Sequence, residues 1–230
     1  MVAALIVPFV RPATLRQILL LAVPVLGLLT FWQLPYGTYG TFNLMNMHIG
    51  LMRLDALSYV FGLIFSLAAF LALLYAWHVR DTVQQVATLL YAGAGLGAVF
   101  AADLVTLFVF WEGTAIASVF LIWARRTEGA YATGMRYLIV QVGSGVILLA
   151  GIVLFYRETG SISFSKMGLE SPATWAIFLA FGIKCAFPLL HNWLQDAYPA
   201  ATITGTVTLS AFTTKLAVYA LARGYPGTEL

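Results

Sequence analysis

Residues Trp175–Pro199 read WAIFLAFGIKCAFPLLHNWLQDAYP, a span-length apolar stretch with a charge inside it. Most of it has the composition of a membrane-spanning helix, yet Lys184 stands near the middle and Pro188 follows one turn later. Proline offers no N–H to the carbonyl four residues back, and its ring clashes with that carbonyl, which here belongs to Lys184. A charge and a helix break therefore coincide inside an apolar span. Irregular backbone survives at membrane depth only where it is buried in protein or lines a wet cavity. An ammonium there costs about 2.5–3.5 kcal/mol on the insertion scale and marks a functional site. The rest of the chain has to accommodate Lys184.

The composition agrees with a membrane setting. Of 230 residues, 61% are hydrophobic and only 9% are charged, whereas a soluble domain carries about 25% charged residues to cover its surface. The apolar runs have helix length rather than the ~10-residue alternation of a barrel. The fold class is therefore an all-α, polytopic bundle in a lipid bilayer. The formal charge of +3 resides in connecting loops, so no nucleic-acid partner is expected. A single cysteine, Cys185, excludes an intramolecular disulfide and a multi-cysteine cluster; in a helix it reads as a small buried hydrophobe. No basic region with a cleavage site opens the chain, so no signal peptide is expected.

Seven spans are expected, at 18–34, 54–77, 83–101, 104–124, 131–156, 173–194 (broken) and 204–222. Residues 36–53 alternate enough for a small extramembrane hairpin, and residues 1–10 are apolar but too short to cross alone. Alternating sides groups Arg11, Arg16, Arg80, Arg125 and Arg126. The opposite side holds Arg53, Arg157, Lys166 and Arg223 with Asp55, Asp103, Glu158, Glu170 and Glu229. The slight basic excess favours the first group as cytoplasmic. Ala92–Ala98, AGAGLGA, matches a loose dinucleotide fingerprint, but that motif needs a preceding strand. Inside an apolar helix, Gly93 and Gly97 instead form a close-packing face.

Among ionisable residues inside the spans, Arg136 lies near a helix end and can snorkel. Glu112, Lys184 and Lys215 lie near the centres of three different spans. Left unpaired in lipid they would together cost about 8–10 kcal/mol, so they are expected to face one another. Glu112 and Lys184 can then form an ion pair beside Lys215, a cation free to gain and lose a proton. Such a set is the minimum equipment of a proton relay; the structural alternative is a staple between helices. His191, seven residues after Lys184, would share its face in an unbroken helix and could pass a proton onward. Asp103 reads as the N-cap of the helix starting at Leu104, and Asp196 as a cap for the segment after it. The dense threonines and serines around Lys215 either hydrate a path or bond to their own backbone.

Three stretches, FVFWEGTAIASVFLIW (108–123), GIKCAFPLLHNWLQDAYPAAT (182–202) and LSAFTTKLAVYALARG (209–224), occur in this order. From about Leu51 onward the chain resembles the antiporter-like membrane subunits shared by Mrp-type cation/proton antiporters and respiratory complex I. The resemblance implies that Glu112 pairs with Lys184 of a broken helix and that Lys215 continues the proton path. It implies two regions: 1–77, peripheral helices with the hairpin, and 78–230, the first of two inverted five-helix repeats. Family members are about twice as long, so the second repeat is expected to be absent here and residues 1–10 to be the remnant of a first helix.

The function expected from this reading is that of a transport subunit, not an enzyme. It would use no cofactor and no metal site, and would handle protons and Na⁺ or K⁺. Its partners would be the other subunits of a multisubunit antiporter in a bacterial inner membrane. The alternatives are a proton-pumping subunit of a redox complex and a non-transporting assembly scaffold.

Overall fold

The computed structural model describes residues 1–44 and 47–227; Met45 and Asn46 of the expected hairpin, and Glu229, lie outside the described residues. A short helix α1 (Val2–Ile6) precedes α2 (Ala13–Trp32). An antiparallel hairpin follows, β1 (Gly37–Leu44) and β2 (Met47–Leu54), in a register that pairs Thr38 with Arg53 and Thr41 with Gly50. Then come α3 (Ala56–Tyr75), α4 (Thr82–Phe100), α5 (Leu104–Trp123), α6 (Glu128–Thr159), α7 (Pro172–Cys185), α8 (Asn192–Ala200) and α9 (Ile203–Gly224). Among the described residues, five helices are long and apolar enough to cross a membrane: α2, α3 with the turn after it, α4, α5 and α6.

The other two expected spans differ in instructive ways. The sixth is divided: α7 has only 14 residues, and α8 begins after a six-residue gap. The seventh, α9, has 22 residues, about 33 Å at 1.5 Å per residue, but its threonines and serines keep it outside the apolar set. α6 runs 32 residues, longer than expected at both ends. Thr127 caps it by accepting the Ala130 N–H, and Gly160 closes it in the left-handed conformation (φ +68°) that a residue without Cβ adopts freely.

Most helix starts are written locally. Asp55 and Ser58 form a reciprocal capping box at α3, and Ser171 and Thr174 do the same at α7, where Pro172 occupies the first turn. Asp103 caps α5, as expected, by accepting the Thr106 N–H at 2.7 Å. Its other oxygen accepts the Gly50 N–H at 2.8 Å and so fastens the hairpin to the bundle. Asp196 is not a cap: it lies inside α8 and faces Arg136 at 4.0 Å, while Thr202 caps α9. The capping role needs an extended residue before the helix, and Asp196 is already helical.

The charges gather at the two ends of the bundle much as the alternation of sides requires. At one end Arg16 donates to Thr82 and to the Arg80 carbonyl, Arg126 pairs with Asp81, and Arg125 donates to the Pro199 and Ala201 carbonyls. At the other end Arg223 grips Asp55 through two nitrogens at 2.7 and 2.8 Å, and Arg53 reaches the Phe164 carbonyl at 2.6 Å. Between them the core is aromatic, with Phe65, Tyr91, Trp111, Phe181, Phe212 and Tyr219 essentially free of solvent. Gly97 lies so close to α5 that a Cβ would meet the Phe110 ring at 2.5 Å, which accounts for the small residues of α4.

Candidate functional site

The helix break is built differently from the proline clash that the sequence suggests. α7 stops at Cys185, before Pro188, in a turn with two reciprocal bonds. The Ala186 N–H donates to the Ile183 carbonyl at 3.1 Å and the Phe187 N–H to the Gly182 carbonyl at 3.0 Å. These are the two bonds of a Schellman motif, whose left-handed position usually holds glycine. Here it holds Ala186, at φ +62° and ψ +50°. The Phe187 ring folds back on Gly182, where a Cβ would meet it at 2.7 Å. The Trp193 indole N–H, from α8, donates to the Ile183 carbonyl at 2.9 Å. Leu189, at φ +71°, gives the connection a second left-handed residue. Pro188 prevents the helix from resuming; the contacts of Phe187 and Trp193 with the last turn of α7 hold the end of the helix.

Lys184 occupies the last turn of α7 and is completely buried. Its ammonium donates to the Trp111 carbonyl at 3.0 Å and to Thr114 Oγ1 at 2.8 Å, and lies 4.4 Å from the centre of the Trp111 ring. Thr114 in turn donates to the same carbonyl at 2.7 Å. The Trp111 ring is locked by its own N–H, which donates to Ser144 of α6 at 3.0 Å, and by packing on Phe181. The lysine is thus held by neutral acceptors and an aromatic face on α5. Both kinds of contact favour a cation.

Glu112 stands next to Trp111 on the same helix and turns toward α6. Its Oε1 is buried with no hydrogen-bond partner. The carboxylate rests on Gly145, where a Cβ would lie 1.6 Å from Oε1 and 2.5 Å from Cδ. Among the described residues the ion pairs are those of Arg53, Arg126, Arg136 and Arg223 with Asp55, Asp81 and Asp196. Glu112 and Lys184 are neighbours without a direct salt bridge. The expected pair is therefore open in this conformation, because each partner has found another seat on α5 or α6.

The other two sequence candidates are not brought to this point. Lys215 lies on the exposed side of α9 and donates to the Ser210 carbonyl of its own helix at 2.7 Å. The buried side of α9 is taken by Leu209, Phe212, Leu216, Ala217 and Ala220. Equal depth along the helix axis thus does not mean a shared face. His191 immediately precedes α8, beyond the break, so the heptad relation to Lys184 is lost. The buried polar side chains of α6 were not found by counting ionisable residues. Tyr137, Gln141 and Ser144 all lie on the buried side of α6; spacings of four and three within an apolar helix are the signal that could have found them.

Residues 101–228 match the model of the family described as NADH:quinone oxidoreductase/Mrp antiporter, TM. That is more than half of the chain, and the chain belongs to this family of membrane subunits. Among curated proteins it is 28% identical over 195 residues to hydrogenase-4 component B of Escherichia coli K12, covering 75% of this chain and 28% of that protein. It is 31% identical over 191 residues to the A-type subunit of the Na⁺/H⁺ antiporter of Alkalihalophilus pseudofirmus, covering 75% and 24%. Among solved structures, the Mrp complex from Dietzia sp. DQ12-45-1b contains a chain of the same fold, with a TM-score of 0.81 at 24% identity, covering 97% of this chain and 46% of that one. The chain spans about a quarter of the length of these curated relatives and about half of the solved one.

Proposed function

We propose that the chain is a proton-conducting subunit of a multisubunit monovalent cation/proton antiporter in a bacterial plasma membrane. Its half-channel would run through Glu112, Lys184 and Lys215. One observation carries this reading: a fully buried ammonium at a helix break, held only by neutral groups, with an unpartnered carboxylate next door. A structural staple would be closed, since a buried pair left open forfeits the attraction that offsets its desolvation. An open pair can close when a proton moves, and that change is what couples proton arrival to movement of charge. Residues 78–230 would form this half-channel and residues 1–77 its flank, with Na⁺ or K⁺ and the other subunits as partners. Lys215, on the outer side of α9, would hand the proton to whatever covers that face. Because no step makes or breaks a covalent bond to a substrate, the role is transport rather than enzymatic catalysis.

Within the antiporters we assign the chain to the D-type subunit, on the resemblance of the three motifs around Glu112, Lys184 and Lys215. The curated antiporter relative named above is of the A type, and mass spectrometry of copurified neighbours separates the two. A second reading, a proton-pumping subunit of a redox complex, is favoured by the comparable similarity to hydrogenase-4 component B. It requires iron–sulfur or flavin subunits in the purified complex, whereas the antiporter reading requires their absence. The test of function is Na⁺- or K⁺-triggered proton efflux from everted vesicles carrying the whole complex. Glu112→Gln should abolish it at matched subunit content; unaltered efflux would leave the chain as a scaffold.

A further inference from the structure

Five buried polar side chains outside the Glu112–Lys184 pair line up between α4, α5, α6 and α9. The Tyr91 hydroxyl bonds Thr213 and approaches the Leu209 carbonyl at 3.3 Å. Tyr198 of α8 donates to that same carbonyl at 3.2 Å. The Tyr137 hydroxyl meets Ser118 Oγ at 2.7 Å and faces Thr213. Tyr91, Ser118, Tyr137 and Thr213 are each at most 2% exposed. Along α5, Ser118 is one turn from Thr114, the hydroxyl that Lys184 holds.

Gln141 fills the interval. It lies one turn after Tyr137, which bonds Ser118, and three residues before Ser144, which receives the Trp111 indole N–H. Both cross-links join α6 to α5, so Gln141 faces α5 at the level of Thr114 and Ala115. The residue is completely buried, and neither its amide oxygen nor its nitrogen has a hydrogen-bond partner. A buried amide with none of its bonding capacity used is unfavourable, and water is the usual partner of such groups.

We propose that Gln141 holds water that joins two hydroxyl pairs to Lys184 as one proton path. The path runs from Tyr91 and Thr213 to Tyr137 and Ser118, then through the Gln141-bound water to Thr114 and Lys184. It rests on the proton-conducting reading given above. At each hydroxyl the oxygen accepts a proton on one side and releases its own on the other, and rotation of the O–H about its C–O bond restores the starting state. Once the Lys184 ammonium has passed its own proton onward, the neutral amine left behind takes up the last proton, and only O–H and N–H bonds change. Gln141 keeps its amide protons and acts as a positioning residue. Tyr198, next to the α8–α9 turn gripped by Arg125, shares the Leu209 carbonyl with Tyr91, so the Tyr91 end of the path is directed toward the arginine-rich end of the bundle.

The test is cation-driven proton flux in vesicles carrying the whole complex, comparing Gln141→Met and Tyr137→Phe with wild type and Lys184→Ala. Both substitutions keep the packing volume and remove the polar atoms. The expected result is a turnover lower by about tenfold or more, with the KM for the cation unchanged at matched complex content. If Tyr137→Phe does not assemble, Ser118→Ala interrupts the same link with a smaller change. Wild-type turnover in Gln141→Met and Tyr137→Phe, with Lys184→Ala inactive, would overturn the path while leaving the function intact. A loss that follows complex content or a raised KM would overturn it equally, as a packing effect. Wild-type flux in Lys184→Ala would overturn the underlying function itself.

Discussion

The contact between Glu112 and Gly145 allows stability and activity to be separated with one methyl group. In Gly145→Ala the new Cβ would stand 1.6 Å from Glu112 Oε1 and 2.5 Å from Cδ. Carbon and oxygen in van der Waals contact stand about 3.5 Å apart, so the carboxylate has to withdraw by roughly 2 Å. The obstruction is the far end of a flexible side chain, which can turn to another rotamer. The helix itself should gain, because alanine is preferred to glycine in a helix interior by about 0.8–1 kcal/mol. Thermal unfolding of the purified complex in detergent should therefore shift little or slightly upward. Transport should respond in the opposite direction. If the carboxylate must close on Lys184 during turnover, a displacement of this size costs about 100-fold. The assay is cation-triggered proton efflux from vesicles, paired with a melting curve on the same preparation. Wild-type efflux in Gly145→Ala would refute the claim that the position of the Glu112 carboxylate matters.

Three further outcomes follow from the same structure. Ala186→Gly relieves a left-handed residue and should stabilise the protein by about 1 kcal/mol, read from its denaturation midpoint; a lower midpoint would remove the Schellman turn from the account. Thr114→Val keeps the shape but removes one acceptor of a buried ammonium, which should cost about 1.5–3 kcal/mol and reduce flux; an unchanged midpoint would contradict the hydrogen bond at 2.8 Å. The third outcome concerns pH. Burial pushes the Asp55 carboxyl up, but hydrogen bonds from Arg223 and the Ser58 N–H, with the charge of Arg223, outweigh it and hold the carboxyl well below the usual carboxylate range. With the folded value lowered, this stabilisation is complete above the unfolded value of about 3.9 and is lost as pH falls through the folded one. Asp55→Asn should lower the melting temperature at neutral pH and flatten its acid limb, and an unchanged acid limb would count against the pair.

What could be read from the sequence was local. The apolar runs, the hairpin and the cap at Asp103 depend on neighbours a few residues away, and a single chain displays them. Lys184 was legible for the same reason, since a lysine between Ile183 and Cys185 with a proline four residues on has few structural uses. The place of the break was not, because the packing of Phe187 on Gly182 and the Trp193–Ile183 hydrogen bond are specific side-chain contacts that hydropathy does not register. Lys215 shows a second limit. Depth along a helix is set by counting residues, but its face is set by whichever neighbours bury Phe212 and Leu216, and these leave Lys215 outside. The unpaired state of Glu112 depends on Gly145, 33 positions later in the sequence, and no local pattern joins them.

The most direct test of the account is cation-dependent proton flux in everted vesicles carrying the whole complex, with Lys184→Ala and Lys184→Arg compared with wild type at matched assembly. Both variants should lose flux: alanine lacks the titratable group, and arginine keeps a charge but does not release its proton near neutral pH. Wild-type flux in Lys184→Ala would contradict the claim that the proton passes through the buried ammonium at the helix break.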